Sequence, residues 1–493
     1  MTSKTVGRAS AGRDVFRFET FGNEGFWTDA LRLPQGMMAA KVTPIQALQS
    51  GLSVDIDAVP AAMREAMAAE LKTDMSPQNA PMLNDPKTTM KLVEANAVIG
   101  IVPKDSNGDG KIDLANGDKI GISCSLCHTI TDGSVHNMPG GGSIGRRIDG
   151  PSALTLNVGK QLAVAANSRA YFPFLQTMLG GKTIGRAPKG LTADSTEEEF
   201  DAYLTNPEFY PVGTFDDTPD GNGNPVVIQP MFRQDLAKPF GSAGEQASVA
   251  NFANGVYTVA FDPTSLATVD GLKFLKAVGG EAGEQLSKDY AKILADTGVT
   301  GYPFVKSKKK GKPGEPANLV GATVDEQKLA DLQAYTESLQ APKGAKVDAK
   351  AAARGRKLFA ANCTTCHNTD QSKPVSAKLV EMTTIWPGYQ PEVLAKRDPP
   401  LDPIQNAPGT FDDKMIVVDA SPGGGKRGNA IPMLLDLDRK TMFLHDASVK
   451  GLDSLLDPSR GKAAPHPFFV ANANERDDVV QFLRGLDTGR SSR

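Results

Sequence analysis

Apolar positions recur at helical spacing in several separate stretches of the chain. Ala, Met, Glu and Leu follow a helical pattern over 60–71, and Asp85-Pro86 opens a second helix over 85–97. A third is predicted over 324–339. There Leu329, Leu332, Tyr335 and Leu339 return on one face, flanked at the start by Thr323 and Gln327, with Asp325 and Glu326 in the favourable first turn. Ala341-Pro-Lys-Gly344 stops it and opens a short polar linker. Beyond the linker, a helix over 349–361 sets Leu358 and Phe359 directly ahead of Cys363. A closing helix over 475–486 turns Val479, Val480, Phe482 and Leu483 inward. The 49 glycines and 34 prolines predict many loops between these elements. The fold class expected is mainly α, with extensive loops and little β.

At 493 residues the chain exceeds what one hydrophobic core normally serves. Three units are expected: an N-terminal region over 1–118, a first cysteine-bearing domain over 119–345, and a second over 346–493. A formal charge of −3 gives no reason to expect nucleic acid as a partner. No run of eighteen apolar residues offers a membrane span. Residues 1–11 are polar and contain no apolar leader core.

All four cysteines fall in two tight pairs, each followed by histidine: Cys124-Ser-Leu-Cys127-His128 and Cys363-Thr-Thr-Cys366-His367. Cysteines three apart lie on one side of a helical turn, the separation needed to meet two vinyl groups of one porphyrin. The adjacent histidine then faces the iron. This is the attachment signature of c-type haem, with histidine as proximal ligand. A thioredoxin-like pair would follow a βαβ opening, and a zinc site would need a further ligand for each pair; neither accompaniment is visible. Two covalently bound haems c are therefore expected, in two cytochrome c-like domains. Attachment of that kind places the chain in the periplasm or another extracytoplasmic compartment, with a leader trimmed from this sequence or missing from it.

For the sixth position of the second iron, His466 lies in the loop before the final helix, with Met442, Met433 or no protein ligand as alternatives. His445, beside Asp446, is a candidate propionate or second-sphere partner. The first iron has His136 and Met138 nearby, at the start of a glycine-rich stretch, or else stays open. His136 is also the candidate acid–base group, with Glu197 to Glu199 and Asp149 behind it. Arg146 and Arg147 match the geometry of haem propionates. The run Tyr171-Phe-Pro-Phe174 to Met178 either walls a pocket or is core, and Trp386 either assists transfer between rings or packs.

Asp105-Ser-Asn107-Gly-Asp109-Gly110-Lys111-Ile-Asp113 follows an EF-hand register, with Lys111 offering its carbonyl and Gly110 the tight bend. Position twelve is Asn116 rather than Glu. Calcium is the expected ion, and a polar turn the alternative.

The stretch Phe443-Leu-His445-Asp446-Ala-Ser-Val449, with Leu452 and Leu455 after it, resembles the Tyr/Phe-x-His-Asp-Gly-Ser-Val…Leu pattern of the bacterial dihaem cytochrome c peroxidase and MauG superfamily. Ala447 stands where that pattern has glycine. His466-Pro-Phe looks like the larger dihaem group that includes rubber oxygenases, in which a late histidine caps the second haem. Gly12 to Gly22 with Phe26-Trp27 looks like a poorly characterised bacterial cytochrome group. The resemblance implies a first haem that reacts with peroxide or dioxygen and a second that transfers electrons. The partner would be a small redox carrier such as a cytochrome or cupredoxin. Two departures stand against peroxidase wiring: His136 follows its motif at a shorter interval, and no methionine follows His445. The alternative is a dihaem electron carrier with both irons six-coordinate. The basic run Lys306 to Lys312 is flexible surface or a docking site for an acidic carrier.

Overall fold

A computed structural model describes the chain except residues 1–4, 180, 182, 184–185, 238–239, 242–245, 247, 316–317, 365–366, 371–430, 445, 462–465, 467 and 487–493. In chain order the elements that position the cysteine motifs begin with helix α1 (Ala9–Phe18), strands β1 (Ile101–Lys104) and β2 (Lys119–Ile122), and the one-turn helix α2 (Ser125–His128). Strands β3 (Thr129–Thr131) and β4 (Arg147–Asp149) follow, then the long helix α3 (Val269–Asp296) and helix α4 (Glu326–Ser338). The second unit is framed by helices α5 (Ala349–Asn362) and α6 (Ala473–Arg484). The architecture is mainly helical, with strands of two to four residues paired in small sheets.

The expected helices form with small shifts at their ends, and most start at a side-chain cap. Asp85 accepts from the Lys87 amide, Asp325 from those of Gln327 and Lys328, and Asp348 from those of Lys350 and Ala351. The cap of α4 is thus Asp325 itself, one residue inside the start expected at 324.

Two crossed helix pairs organise the molecule. α1 packs across α4 with Gly12 at the crossing, where an added Cβ would stand 1.9 Å from the Asp331 carbonyl oxygen. α5 packs across α6 in the same way, with Gly355 meeting the Asp478 carbonyl, again at 1.9 Å. Four residues after each glycine an aromatic ring meets an aromatic four residues after each aspartate. Phe16 lies 5.6 Å from Tyr335, and Phe359 lies 5.5 Å from Phe482. Each aspartate also takes an arginine, Arg8 and Arg354. The second unit therefore repeats the first at its helix crossing.

This crossing spans the expected boundary at residue 118. Val15 and Phe16 of α1 are buried in one continuous core that also contains Leu329 and Leu332 of α4. Residues on both sides of 118 contribute to that core. The second unit has its own core around Phe359, Val479 and Phe482. Among the described residues no helix is long and apolar enough to cross a membrane.

Candidate cofactor sites at the two cysteine motifs

Cys363 follows Phe359 by one turn at the C-terminal end of α5. More than a hundred residues separate Phe16 from Cys124, yet the fold brings the first motif to the same place. The Ser123 hydroxyl donates to the Arg17 carbonyl at the end of α1 at 2.8 Å, and the Ser125 hydroxyl lies 3.4 Å from that oxygen. An unsatisfied carbonyl of the last helical turn thus docks the α2 turn. Around it, β1 pairs with β2 and β3 with β4, both antiparallel. The His128 carbonyl accepts from Gly150, and the Cys127 carbonyl from Ala153. These pairings fix the backbone of the motif on both sides.

Cys124 and Cys127 are buried and are not joined to each other. Burial pushes their thiols up, to about 11 and about 12, the reverse of the shift that activates a redox or metal-binding thiolate. The Tyr257 hydroxyl lies 3.4 Å from Cys124 Sγ and donates to the Glu19 carbonyl. Burial lowers His128 to about 4, so its imidazole is neutral at pH 7. The ring donates to the Gln229 backbone, while its Nδ1 is buried with no partner. A neutral imidazole with its hydrogen fixed on a carbonyl and its other nitrogen bare is the arrangement a metal ligand requires.

Beside Cys127 lies a small cavity of about 20 Å³, walled by Trp27, Leu33, Ile122, Leu162, Phe215 and Phe261 among others. Its size admits one water or a diatomic molecule. The lining contains neither histidine nor methionine, and the Trp27 indole N–H is buried without a partner. Tyr171, Phe172 and Phe174 are buried in the core, and Tyr171 packs behind the wall residue Phe215 at 6.3 Å.

In the second unit His367 and His466 face each other with ring centroids 6.1 Å apart. Both have a buried, unpartnered Nδ1, and burial lowers both imidazoles, His466 to about 4. A metal held between two imidazoles needs bonds of about 2 Å and about 1 Å more to each ring centre, a separation of roughly 6 Å. The residues fit such an ion on spacing and on protonation. His466 holds a left-handed backbone, φ 53, which costs a non-glycine residue conformational energy. Met433 packs instead in the cluster around Phe232 and Leu435, and the Met442 methyl lies against Gly213. Cys366, His445 and Trp386 lie outside the described residues.

Other expected residues are engaged elsewhere. The Arg147 guanidinium donates to Asp55 at 2.6 Å and to the Asn96 carbonyl, and Arg146 stands exposed near Asp57. The second terminal nitrogen of Arg147 is buried without a partner. His136 is in a short strand paired with Ile144, and Met138 packs near Gly141. Asp149 accepts from Arg17, Thr129 and Tyr335. In the EF-hand-like loop, Asp105 accepts from Gly108 and Gly110, Asn107 from Asp109, and Asp109 from Lys111. Asp113 accepts from Ala115, while Asp118 closes the loop on Ser106, Asn107 and Asp113. Among the described residues no group of three or more His, Cys, Asp or Glu converges to hold a metal. Gln229, Trp27 and Tyr257 were not foreseen. They approach the motif through space, and only the indole of Trp27, a costly group to bury unpaired, carried a signal in its residue type.

No protein-family model and no curated protein matches the chain. Among solved structures it is similar to hydrazine synthase of Kuenenia stuttgartiensis, at 14% identity over 64% of this chain and 86% of that one. The TM-score is 0.26, a likeness too slight to assign a function.

Proposed function

We propose that the chain is a dihaem c-type oxidoreductase, with a peroxide- or dioxygen-reacting centre at Cys124–His128 and an electron-transferring centre at Cys363–His367. The observation that carries this reading is the facing pair His367 and His466, 6.1 Å apart with unpartnered nitrogens. Haem, when bound, supplies the one-electron and peroxide chemistry; the protein supplies ligation, orientation and access. His367 and His466 would grip the second iron from both sides, which suits electron transfer and leaves no position for substrate. His128, turned by the Gln229 carbonyl, would hold the first iron from one side. The cavity beside Cys127 is mostly apolar, with Gln161 and with Trp27, whose indole N–H has no partner, on its lining. That asymmetry favours a reactive first centre over a chain that only relays electrons. Extracytoplasmic location, a small protein carrier and a calcium ion at 105–113 belong to the same proposal, and the reading of the two centres does not depend on the ion.

The test is spectroscopic. Two haems per chain should resist acid–acetone extraction. The ferric protein should show one low-spin bis-imidazole signal and one high-spin centre that shifts with cyanide. His466→Ala should abolish the low-spin signal and leave the cyanide-sensitive one. Two low-spin centres that ignore cyanide would leave only the relay, and an unaltered low-spin signal in His466→Ala would remove the assignment of His466.

A further inference from the structure

A groove of about 360 Å³ opens where the chain leaves α1 and enters α4. Four lysines line it, Lys104, Lys306, Lys308 and Lys328, against three carboxylates, Glu19, Glu24 and Asp325. Lys328 pairs with Glu19 and Lys308 with Asp325, and Glu24 accepts from the Thr20 hydroxyl. Lys104 and Lys306 donate to the carbonyls of Phe18 and Pro303, so neither is hydrogen-bonded to a carboxylate, and the four lysines outnumber the three carboxylates by one. Lys309 beside the groove pairs with Glu326, and Lys310 and Lys312 are exposed on the same segment. On a chain of net charge −3 this groove is locally positive.

The groove leads inward. Phe21, on its lining, stands edge-on to Tyr257 at 4.6 Å. The Tyr257 hydroxyl is bonded to the Glu19 carbonyl at 3.1 Å and lies 3.4 Å from Cys124 Sγ. One side chain thus separates the groove from the sulfur of the first motif. Phe21 is held at φ 51, a conformation an aromatic residue adopts only when its surroundings enforce it.

We propose that this groove is the port where an acidic electron-carrier protein docks, with Phe21 and Tyr257 bridging it to the group bonded at Cys124. The inference rests on the haem reading of that motif and gives the reactive first centre an electron entry of its own, separate from the electron-transferring second centre. In the transfer the carrier loses one electron and the group at Cys124 gains it, with no atom exchanged; the reverse step returns the electron. Lysines that keep their charge steer an acidic surface into place.

Stopped-flow oxidation of the reduced holoprotein by ferricyanide and by an acidic plastocyanin tests it, with hexaammineruthenium(III) as the cationic control. Reversing Lys104→Glu together with Lys306→Glu, both away from the core, should slow the first-centre phase about tenfold with either anionic oxidant at low salt. The cationic oxidant should react faster, and the differences should fade toward 1 M salt, where screening shortens to about 3 Å. Tyr257→Phe should slow the phase with all three oxidants while leaving the visible spectrum unchanged. Rates indifferent to the lysine reversals overturn the port; rates indifferent to Tyr257→Phe overturn the bridge. A wild-type protein with no covalently bound haem at Cys124 would sink the underlying reading instead, before any rate is measured.

Discussion

At Ala447 the backbone is left-handed, φ 64, the conformation that glycine takes at least cost. Alanine is strained in this turn after Asp446, where glycine would sit at less cost. Ala447→Gly should raise stability by roughly 1 kcal/mol, read as a higher urea midpoint at unchanged slope. A lower midpoint would mean that the methyl group packs usefully. Asp201 gives a pH effect. Burial pushes its carboxyl up to about 6, against the Ser168 hydroxyl bond and with Glu197 and Glu198 nearby. Its folded value lies above its unfolded value, so its stabilising contribution is complete below about pH 4 and is lost as pH rises through 6. Asp201→Asn should flatten the fall in melting temperature between those limits; an identical profile in the variant would refute the assignment. At this scale the sequence points to the cysteine motifs and His466 because ligands must be particular residue types. The Asp55 partner of Arg147 carries no such signal, because it lies 92 positions away and nothing local announces it.

Among the elements, the glycines at the helix crossings matter most. A methyl group on Gly355 would overlap a backbone carbonyl, which cannot rotate aside as a side chain would. Gly355→Ala should therefore cost about 2–3 kcal/mol by forcing α5 from α6, and Gly12→Ala should act alike on α1 and α4. Thermal unfolding measures both, and a loss under about 0.5 kcal/mol would show that the crossings yield easily. Helices α4, α5 and α6 were readable from periodic apolar positions and polar stops. α1 was not, because its buried face is only Gly12, Val15 and Phe16 among charged neighbours. α3 escaped notice too, since Gly279-Gly280 interrupts it and Gly280 breaks the helical geometry at φ 58. The strands that hold the first motif are too short for alternation to register.

For the whole molecule, the two units meet through Phe232, Ala341 and Leu435 and through an ion pair between Arg186 and the buried Asp446. Arg186→Ala removes one charge of that pair and should loosen the units from each other, splitting a single calorimetric transition into two. One transition in both proteins would show that the apolar contact suffices. The repeated crossing also differs in reach. Arg354 and Asp478 stand 124 positions apart, but Arg8 and Asp331 stand 323 apart. As the polypeptide is synthesised or threaded out N-terminus first, the apolar face of α1 must wait for nearly two thirds of the protein to emerge before its mate arrives. Under the haem proposal, that delay is the interval in which attachment at Cys124–His128 would take place.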